Sequence, residues 1–179
     1  MYRQLRFERA DNDAYYTPDW CTEVLLAKVR FRGAVWEPAS GKGRMAAVLR
    51  RAGYPVVESD IDPSTTGESL DFLTCGAMAE GTSSVVTNPP YHIGTNFVRH
   101  ALALALPRGG MVAMLLRHEF DCAKTRRPLF ERPEFRIKLV LTTRPRWIAE
   151  DTGNSPRHNF SWYVWDAAHQ GPPQLGWVP

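Results

Sequence analysis

The 179-residue sequence predicts one α/β domain in which a mostly parallel sheet carries helices on both faces. Residues 34–60 read as strand, glycine turn, helix and strand, a βαβ unit that calls for parallel strands and a right-handed crossover. Further short apolar runs alternate with helical stretches down the chain. One of them, GGMVAMLLR at 109–117, is apolar throughout, as a strand covered on both faces must be.

The elements follow in order. AVWE (34–37) is a short apolar run that ends at Pro38, and the helical pattern of Met45, Val48 and Leu49 after it is closed by Gly53. PVVESD (55–60) is a second strand ending in acids. SSVVTN (83–88) is another, cut off by Pro89 and Pro90. A helix is expected from about Gly94 to Leu106, with Phe97, Val98, Ala101, Leu102, Ala105 and Leu106 on its apolar side. The 109–117 strand comes next, then a charged helix over 122–131. IKLVLTT (137–143) and NFSWYVWD (159–166) read as the last two strands, separated by a polar, proline-bearing loop. Residues 1–14 and 167–179 are expected as peripheral tails of the single domain, the second loop-like, with Trp177 packed back onto the body.

Composition excludes several classes. No apolar run approaches the ~20 residues of a membrane-spanning helix, and MYRQLRFERADND lacks the apolar stretch of a signal peptide. Cys21, Cys75 and Cys122 are odd in number and contain no C-x-x-C pair, so they read as reduced thiols of a cytoplasmic protein. The five histidines make no ligand spacing with one another or with cysteine, so no metal is expected. Neither a zinc-deaminase signature nor a G-x-S-x-G elbow occurs. The net charge is +3, but residues 117–146 alone carry nine basic and four acidic side chains. That segment suits a polyanionic partner or, equally, a solvated helix face.

Glu37-Pro38-Ala39-Ser40-Gly41-Lys42-Gly43 lies where a strand passes to a helix, so backbone N–H groups can approach a ligand there. A Walker-type phosphate loop fails, because Trp36 stands at its first glycine and Gly43 at its Ser/Thr. A dinucleotide fingerprint fits in part, through Gly41, Gly43 and Ala46 with Asp60 ending the next strand. An S-adenosylmethionine loop fits better. Glu37 can orient the cofactor's ammonium, and Asp60 can accept from ribose hydroxyls.

Thr87-Asn88-Pro89-Pro90-Tyr91 is chemically more pointed. An exocyclic amine on an aromatic base is a poor nucleophile, because its lone pair is delocalised into the ring. The Asn88 side-chain oxygen and the Pro89 carbonyl can each accept one N–H, drawing the nitrogen toward tetrahedral geometry. The prolines fix φ and so aim that carbonyl in advance. Tyr91 offers a flat face to the base. The same dipeptides are also ordinary strand breakers; their place beside the glycine turn favours the functional reading.

With these motifs in order, the chain resembles the amino-group DNA methyltransferases that carry Asn-Pro-Pro-Tyr, in particular small adenine-N6 methyltransferases of bacteria and their phages. The matching segments are Tyr16-Thr17-Pro18, EPASGKG, SDIDP, DFL, TNPPY, GGMVAMLLR and a final aromatic strand. The resemblance implies a Rossmann-like class I methyltransferase fold, a seven-stranded mostly parallel sheet whose last strand is antiparallel. It implies S-adenosylmethionine as cofactor and nucleic acid as partner, DNA ahead of RNA. Thr17, with Tyr16 beside it, would hold the methionine part of the cofactor. Asp60 would hold the ribose, with Ile61 on the adenine and Asp71 and Phe72 on its amino group and ring face. Phe160, with Trp147 as second choice, would stack on the target base or else simply fill the core. Arg126 and Arg127 are candidate phosphate contacts or plain surface charges. The family's sequence-specific members have a large recognition region, and here 143–158 is the only substantial insertion. Methylation of RNA adenine or of a protein glutamine amide fits the same motif. A silent binding subunit fits the fold, but the glycine, acidic and Asn-Pro-Pro-Tyr positions are all intact.

Overall fold

The computed structural model describes residues 17–147 and 158–179, so Tyr16 lies outside the described residues. In chain order these form α1 (Asp19–Lys28), β1 (Ala34–Glu37), α2 (Arg44–Arg51), β2 (Val56–Asp60), β3 (Glu68–Ser69), β4 (Thr82–Thr87), α3 (Gly94–Ala105), β5 (Met111–Arg117), α4 (Arg127–Phe130), β6 (Phe135–Leu141), β7 (Phe160–Asp166) and β8 (Gln174–Val178). They build one eight-stranded sheet in the order β3-β2-β1-β4-β5-β7-β6-β8. β7 pairs antiparallel with both β5 and β6, and every other pairing is parallel.

The two faces separate with the strand period of two. Val35, Val86, Met111, Ala113 and Leu115 point to one side, where Cys21 and Leu25 of α1 and Met45, Val48 and Leu49 of α2 cover them. Trp36, Val85, Val112, Met114 and Leu116 point to the other, under Phe97, Val98, Ala101 and Leu102 of α3. Buried indoles tie the layers together, each with its N–H satisfied. Trp162 Nε1 donates to the Cys21 carbonyl at 2.7 Å, Trp165 Nε1 to Leu129 at 2.8 Å and Trp36 Nε1 to Ser59 Oγ at 2.9 Å.

Three expectations are corrected. The charged helix over 122–131 is only α4, four residues long, preceded by two 3-10 turns at His118–Cys122 and Lys124–Arg126. Pro128 has no N–H to donate, and Pro133 bars any extension. The tail is not all loop: β8 pairs in parallel with the outer edge of β6, from Ile137↔Gln174 to Leu141↔Val178. Trp177 does not pack back; it is 64% exposed, and Val178 is the residue that β8 buries. α1, which the pattern did not signal, covers β7 through Cys21.

Candidate functional site

Glu37 closes β1 and Asn88 follows β4, the neighbouring strands between which the order of the sheet reverses. In open α/β sheets that switch point leaves a crevice beyond the carboxyl ends of the strands. A recess of about 30 Å³ opens there, walled by Thr17, Glu37, Ala39, Ser40, Gly41, Lys42, Arg44, Met45 and Asn88. Three segments of the chain, at 17, 37–45 and 88, therefore meet there.

The glycine turn has the conformation its residues allow. Gly41 and Gly43 have φ of +53° and +68°. A Cβ on Gly43 would lie 2.7 Å from Glu58 Oε2 and from Thr66 Oγ1, so a side chain here would have to displace them as well as adopt a left-handed backbone. Asp60 secures the turn from below: its Oδ2 accepts the Gly41 N–H at 2.8 Å and its Oδ1 the Asp62 N–H at 3.0 Å. A carboxylate has lone pairs beyond these two bonds, so ribose hydroxyls remain possible donors.

Glu37 is 2% exposed, and its Oε2 has no hydrogen-bond partner among the described residues. Burial holds its carboxyl well above the usual carboxylate range, and the nearby Glu58 charge adds to this. The Ala46 N–H at the start of α2 and the Arg50 charge oppose the shift without cancelling it. Ser40 Oγ, also buried, is unpartnered as well. Orphaned buried polar atoms are rare and call for an explanation. An ammonium group seated beside Glu37 supplies one, so the residues present fit the methionine end of an S-adenosylmethionine molecule. Ser40 and Arg44 were not singled out from the sequence; the only available signal was an arginine opening a helix after G-x-G with no acid beside it.

The rest of the expected cofactor set is mixed. Pro38 is buried at the turn, Ile61 is exposed beside Asp60, and Asp71 caps a 3-10 turn through the Leu73 N–H at 3.0 Å. Phe72 is corrected. Its ring is buried against Trp36, Phe97 and His100, with centroids 4.8–5.1 Å apart, and presents no face to a ligand.

Asn88 joins this recess to a second one. Its Nδ2 donates to Thr17 Oγ1 at 3.1 Å, and its Oδ1 accepts from the Tyr91 hydroxyl at 2.8 Å. One lone pair of Oδ1 remains for a ligand N–H. Pro89 is buried, and its carbonyl accepts no hydrogen bond from the described residues. Pro90 begins the 3-10 turn that lifts Tyr91 into a cleft of about 400 Å³.

That cleft is lined by Tyr91, Trp147 and Phe160, with Leu116 and Phe120, and by the polar His92, Arg117, Glu119, Arg126 and His158. Phe160 opens β7 opposite Arg117 and is almost wholly buried, 5.3 Å from the Tyr91 ring and 4.7 Å from that of Trp147. It backs the other two rings, and Trp147 is the more accessible of the pair. The turn that carries Glu119 and Phe120 is pinned at its ends: Lys138 Nζ contacts Asp121 at 2.7 Å and the His118 carbonyl at 2.9 Å, and the Tyr163 hydroxyl donates to that carbonyl at 2.6 Å.

The two candidate phosphate contacts part company. Arg126 lines the cleft, held by Thr95 Oγ1 at 3.1 Å and the Phe120 carbonyl at 3.0 Å, its guanidinium 4.2 Å from the Phe120 ring. Arg127 points outward and pairs with Glu131 at 2.5 Å. Much of the basic excess is likewise spent internally, Arg132 on Glu134, Arg136 on Asp166 and Lys138 on Asp121. Arg117, Glu119, His92 and His158 are cleft residues that the motifs did not mark. Among the described residues there is no cluster of metal ligands, and no helix is long and apolar enough to cross a membrane.

The sheet order, the lone antiparallel β7 and the glycine turn at the switch point define the class I S-adenosylmethionine-dependent methyltransferase fold. Solved structures bear this out. The chain is similar over 97% of its length to 68% of a protein from Listeria monocytogenes assigned as a class I S-adenosylmethionine-dependent methyltransferase (TM-score 0.64, 12% identity). A protein from Pyrococcus horikoshii assigned as an RNA methyltransferase is similar over 90% of both chains (TM-score 0.62, 14% identity). The M protein of the type I restriction enzyme EcoKI is similar over 89% of this chain and 46% of its own (TM-score 0.58, 14% identity). At these identities the likeness is one of fold. No family model matches the sequence, and no curated protein matches it.

Proposed function

We propose that this protein is an S-adenosylmethionine-dependent methyltransferase acting on an exocyclic amino group of a nucleic-acid base, adenine N6 in DNA before all others. One observation carries the reading. The Thr17–Asn88–Tyr91 hydrogen-bond chain links a small polar recess containing an orphaned carboxyl to an aromatic cleft wide enough for a base. The cofactor, when bound, supplies an electrophilic methyl group on a sulfonium. The chain's own part is to hold the amine beside it: Asn88 Oδ1 and the Pro89 carbonyl each accept one N–H, while Tyr91 and Trp147 flank the ring. Fixed acceptors of this kind favour the charge that develops as the nitrogen attacks. The nitrogen then carries an acidic proton that passes to water, so no dedicated base is needed.

The Asn-Pro-Pro-Tyr resemblance favours DNA, and the M protein of a restriction enzyme among the structural neighbours is consistent with it. RNA adenine is the second reading, favoured by the Pyrococcus horikoshii neighbour. Supplying the purified protein with tritium-labelled S-adenosylmethionine and separate pools of DNA, RNA and protein tests the assignment. Label in DNA supports it, label confined to RNA supports the second reading, and label confined to protein overturns both.

A further inference from the structure

Leu175 and Trp177 of β8 are 55% and 64% exposed, in a strand whose only buried residue is Val178. Their direction follows from the pleat. Val178 packs in the layer of α1 and α2, so Trp177 points to the opposite face, that of Trp36, Leu116 and Tyr163. The pairing register then sets one row across that face, Leu116–Ser161–Val140–Trp177. Leu116 lines the aromatic cleft, and His118 stands over Ser161 with its Nδ1 3.0 Å from Oγ. Trp177 therefore shares a face of the sheet with the cleft, three strand spacings or roughly 14 Å along the row.

The chain makes a second connection between the two places. Thr142 is held to the Val178 carbonyl through its N–H at 2.9 Å and its hydroxyl at 3.0 Å. At the far end of the same segment Trp147 packs 4.7 Å from the Phe160 ring in the cleft. Between them Arg144 and Arg146 are exposed, Arg144 with its Nε donating to Asn159 Oδ1 at 2.8 Å. No acid occurs in 142–147 or in β8. The aromatic cleft and the exposed indole are thus joined by a segment whose charges are all positive.

We propose that Trp177 is a stacking platform for an unpaired base of a single-stranded nucleic acid whose target base occupies the cleft, with Arg144 and Arg146 on the intervening phosphates. The proposal rests on the nucleic-acid reading above and adds to it a flanking contact and a preferred strand state. Every base has a π-face, so the contact is indifferent to sequence, and a paired, stacked duplex offers it nothing. A second copy of the chain is the poorer occupant of this edge. β8 is five residues long, and Pro172 and Pro173 before it have no N–H to give, which limits pairing from edge to edge.

Fluorescence anisotropy and methylation rates on labelled strands of two lengths test this. One probe is a trinucleotide with a central adenine. The other is about twelve nucleotides long, within the usual span of a single-strand site, with one central adenine among thymines or uracils. It is used as DNA, as RNA and annealed to its complement. At ~3.4 Å per stacked nucleotide and about twice that when extended, Trp177 is roughly two to four nucleotides from the target base, beyond the trinucleotide. Trp177→Ala is expected to weaken the longer single strand at least about 5-fold, the lower end for one base–aromatic stack, and to leave trinucleotide methylation within about 2-fold. Trp177→Phe should recover part of the loss, and Arg146→Gln should flatten the log–log salt slope of the longer strand by about 0.7. Trp177 is exposed, so thermal unfolding should show its variants folded as the wild type is. Unchanged affinity for the longer strand, an equal loss of rate on both lengths, or activity on the duplex alone overturns the proposal while the nucleic-acid reading stands. A wild-type dimer in sedimentation that Trp177→Ala dissociates also overturns it and assigns β8 to a second copy. A wild type that neither binds nor methylates these strands or their duplexes removes both.

Discussion

Replacing Glu37 by glutamine removes a carboxyl that the fold buries and leaves half satisfied. Its Oε2 finds no partner among the described residues, and only the Ala46 N–H and the more distant Arg50 charge favour ionisation. Because the carboxyl is raised in the folded state, the native protein keeps this proton at pH values where the unfolded chain has lost it. Stability therefore declines as pH climbs from the ordinary glutamate value, 4.5, toward the raised one, and the whole loss is present above that. Leaving a buried polar group unsatisfied costs about 1–3 kcal/mol, with the upper end appropriate to a charge. In a domain of this size each kcal/mol moves Tm by about 2–4 °C. Glu37→Gln should thus raise the Tm of the ligand-free protein by roughly 2–12 °C at pH 8 and by much less at pH 5. It should also weaken S-adenosylhomocysteine by about 10-fold or more, since the ammonium loses its charged acceptor. Scanning calorimetry from pH 5 to 8 with a parallel ligand titration measures both effects. A Tm that is lower or unchanged at pH 8 refutes the picture of an uncompensated buried carboxyl. Unchanged affinity refutes its assignment to the ammonium.

Other expectations concern the amine and the cleft. Asn88→Ala should cut methyl transfer by at least about 10²-fold, the scale for a preorganised polar contact, with calorimetry showing a far smaller change in cofactor affinity. Tyr91→Phe keeps the ring and deletes the 2.8 Å bond to Asn88, so single-turnover rates should fall about 2- to 10-fold, the value of one neutral hydrogen bond. Trp147→Ala should lower turnover in a protein of near-normal Tm, whereas Phe160→Ala should lower Tm as well, because it hollows out a buried site. Arg126→Glu should weaken oligonucleotide binding and reduce its salt dependence, while Arg127→Glu, at a residue already paired with Glu131, should do much less. With few contacts to offset base extrusion, rates on single-stranded or mismatched DNA should exceed those on an intact duplex.

The positions at strand ends were legible because proline marks them. Pro38 stops β1 beside Glu37, Pro89 stops β4 beside Asn88, and the βαβ order then brings the two together at the switch point. Roles that depend on tertiary environment were not legible. Phe72 has the local sequence of a cofactor-facing ring, yet Trp36 and Phe97 close over it, which no spacing reveals. Arg126 and Arg127 are equivalent in sequence, but only Arg126 turns into the cleft. The buried face of α1 includes Thr22 beside Cys21, Leu25 and Leu26, so it shows no clean apolar stripe. β8 follows Gly171, Pro172 and Pro173 and reads as loop; the open edge of β6 makes it a strand, a case of tertiary pairing overriding local propensity.

The methylated atom decides the central claim. Single-stranded DNA incubated with the protein and S-adenosylmethionine bearing a deuterated methyl group can be digested to nucleosides and analysed by mass spectrometry, with Asn88→Ala in parallel. The expected product is deoxyadenosine carrying the heavy methyl on N6, formed by the wild type and at most about one hundredth as fast by the variant. Heavy methyl on a ring carbon or ring nitrogen, or equal incorporation by Asn88→Ala, would contradict the account.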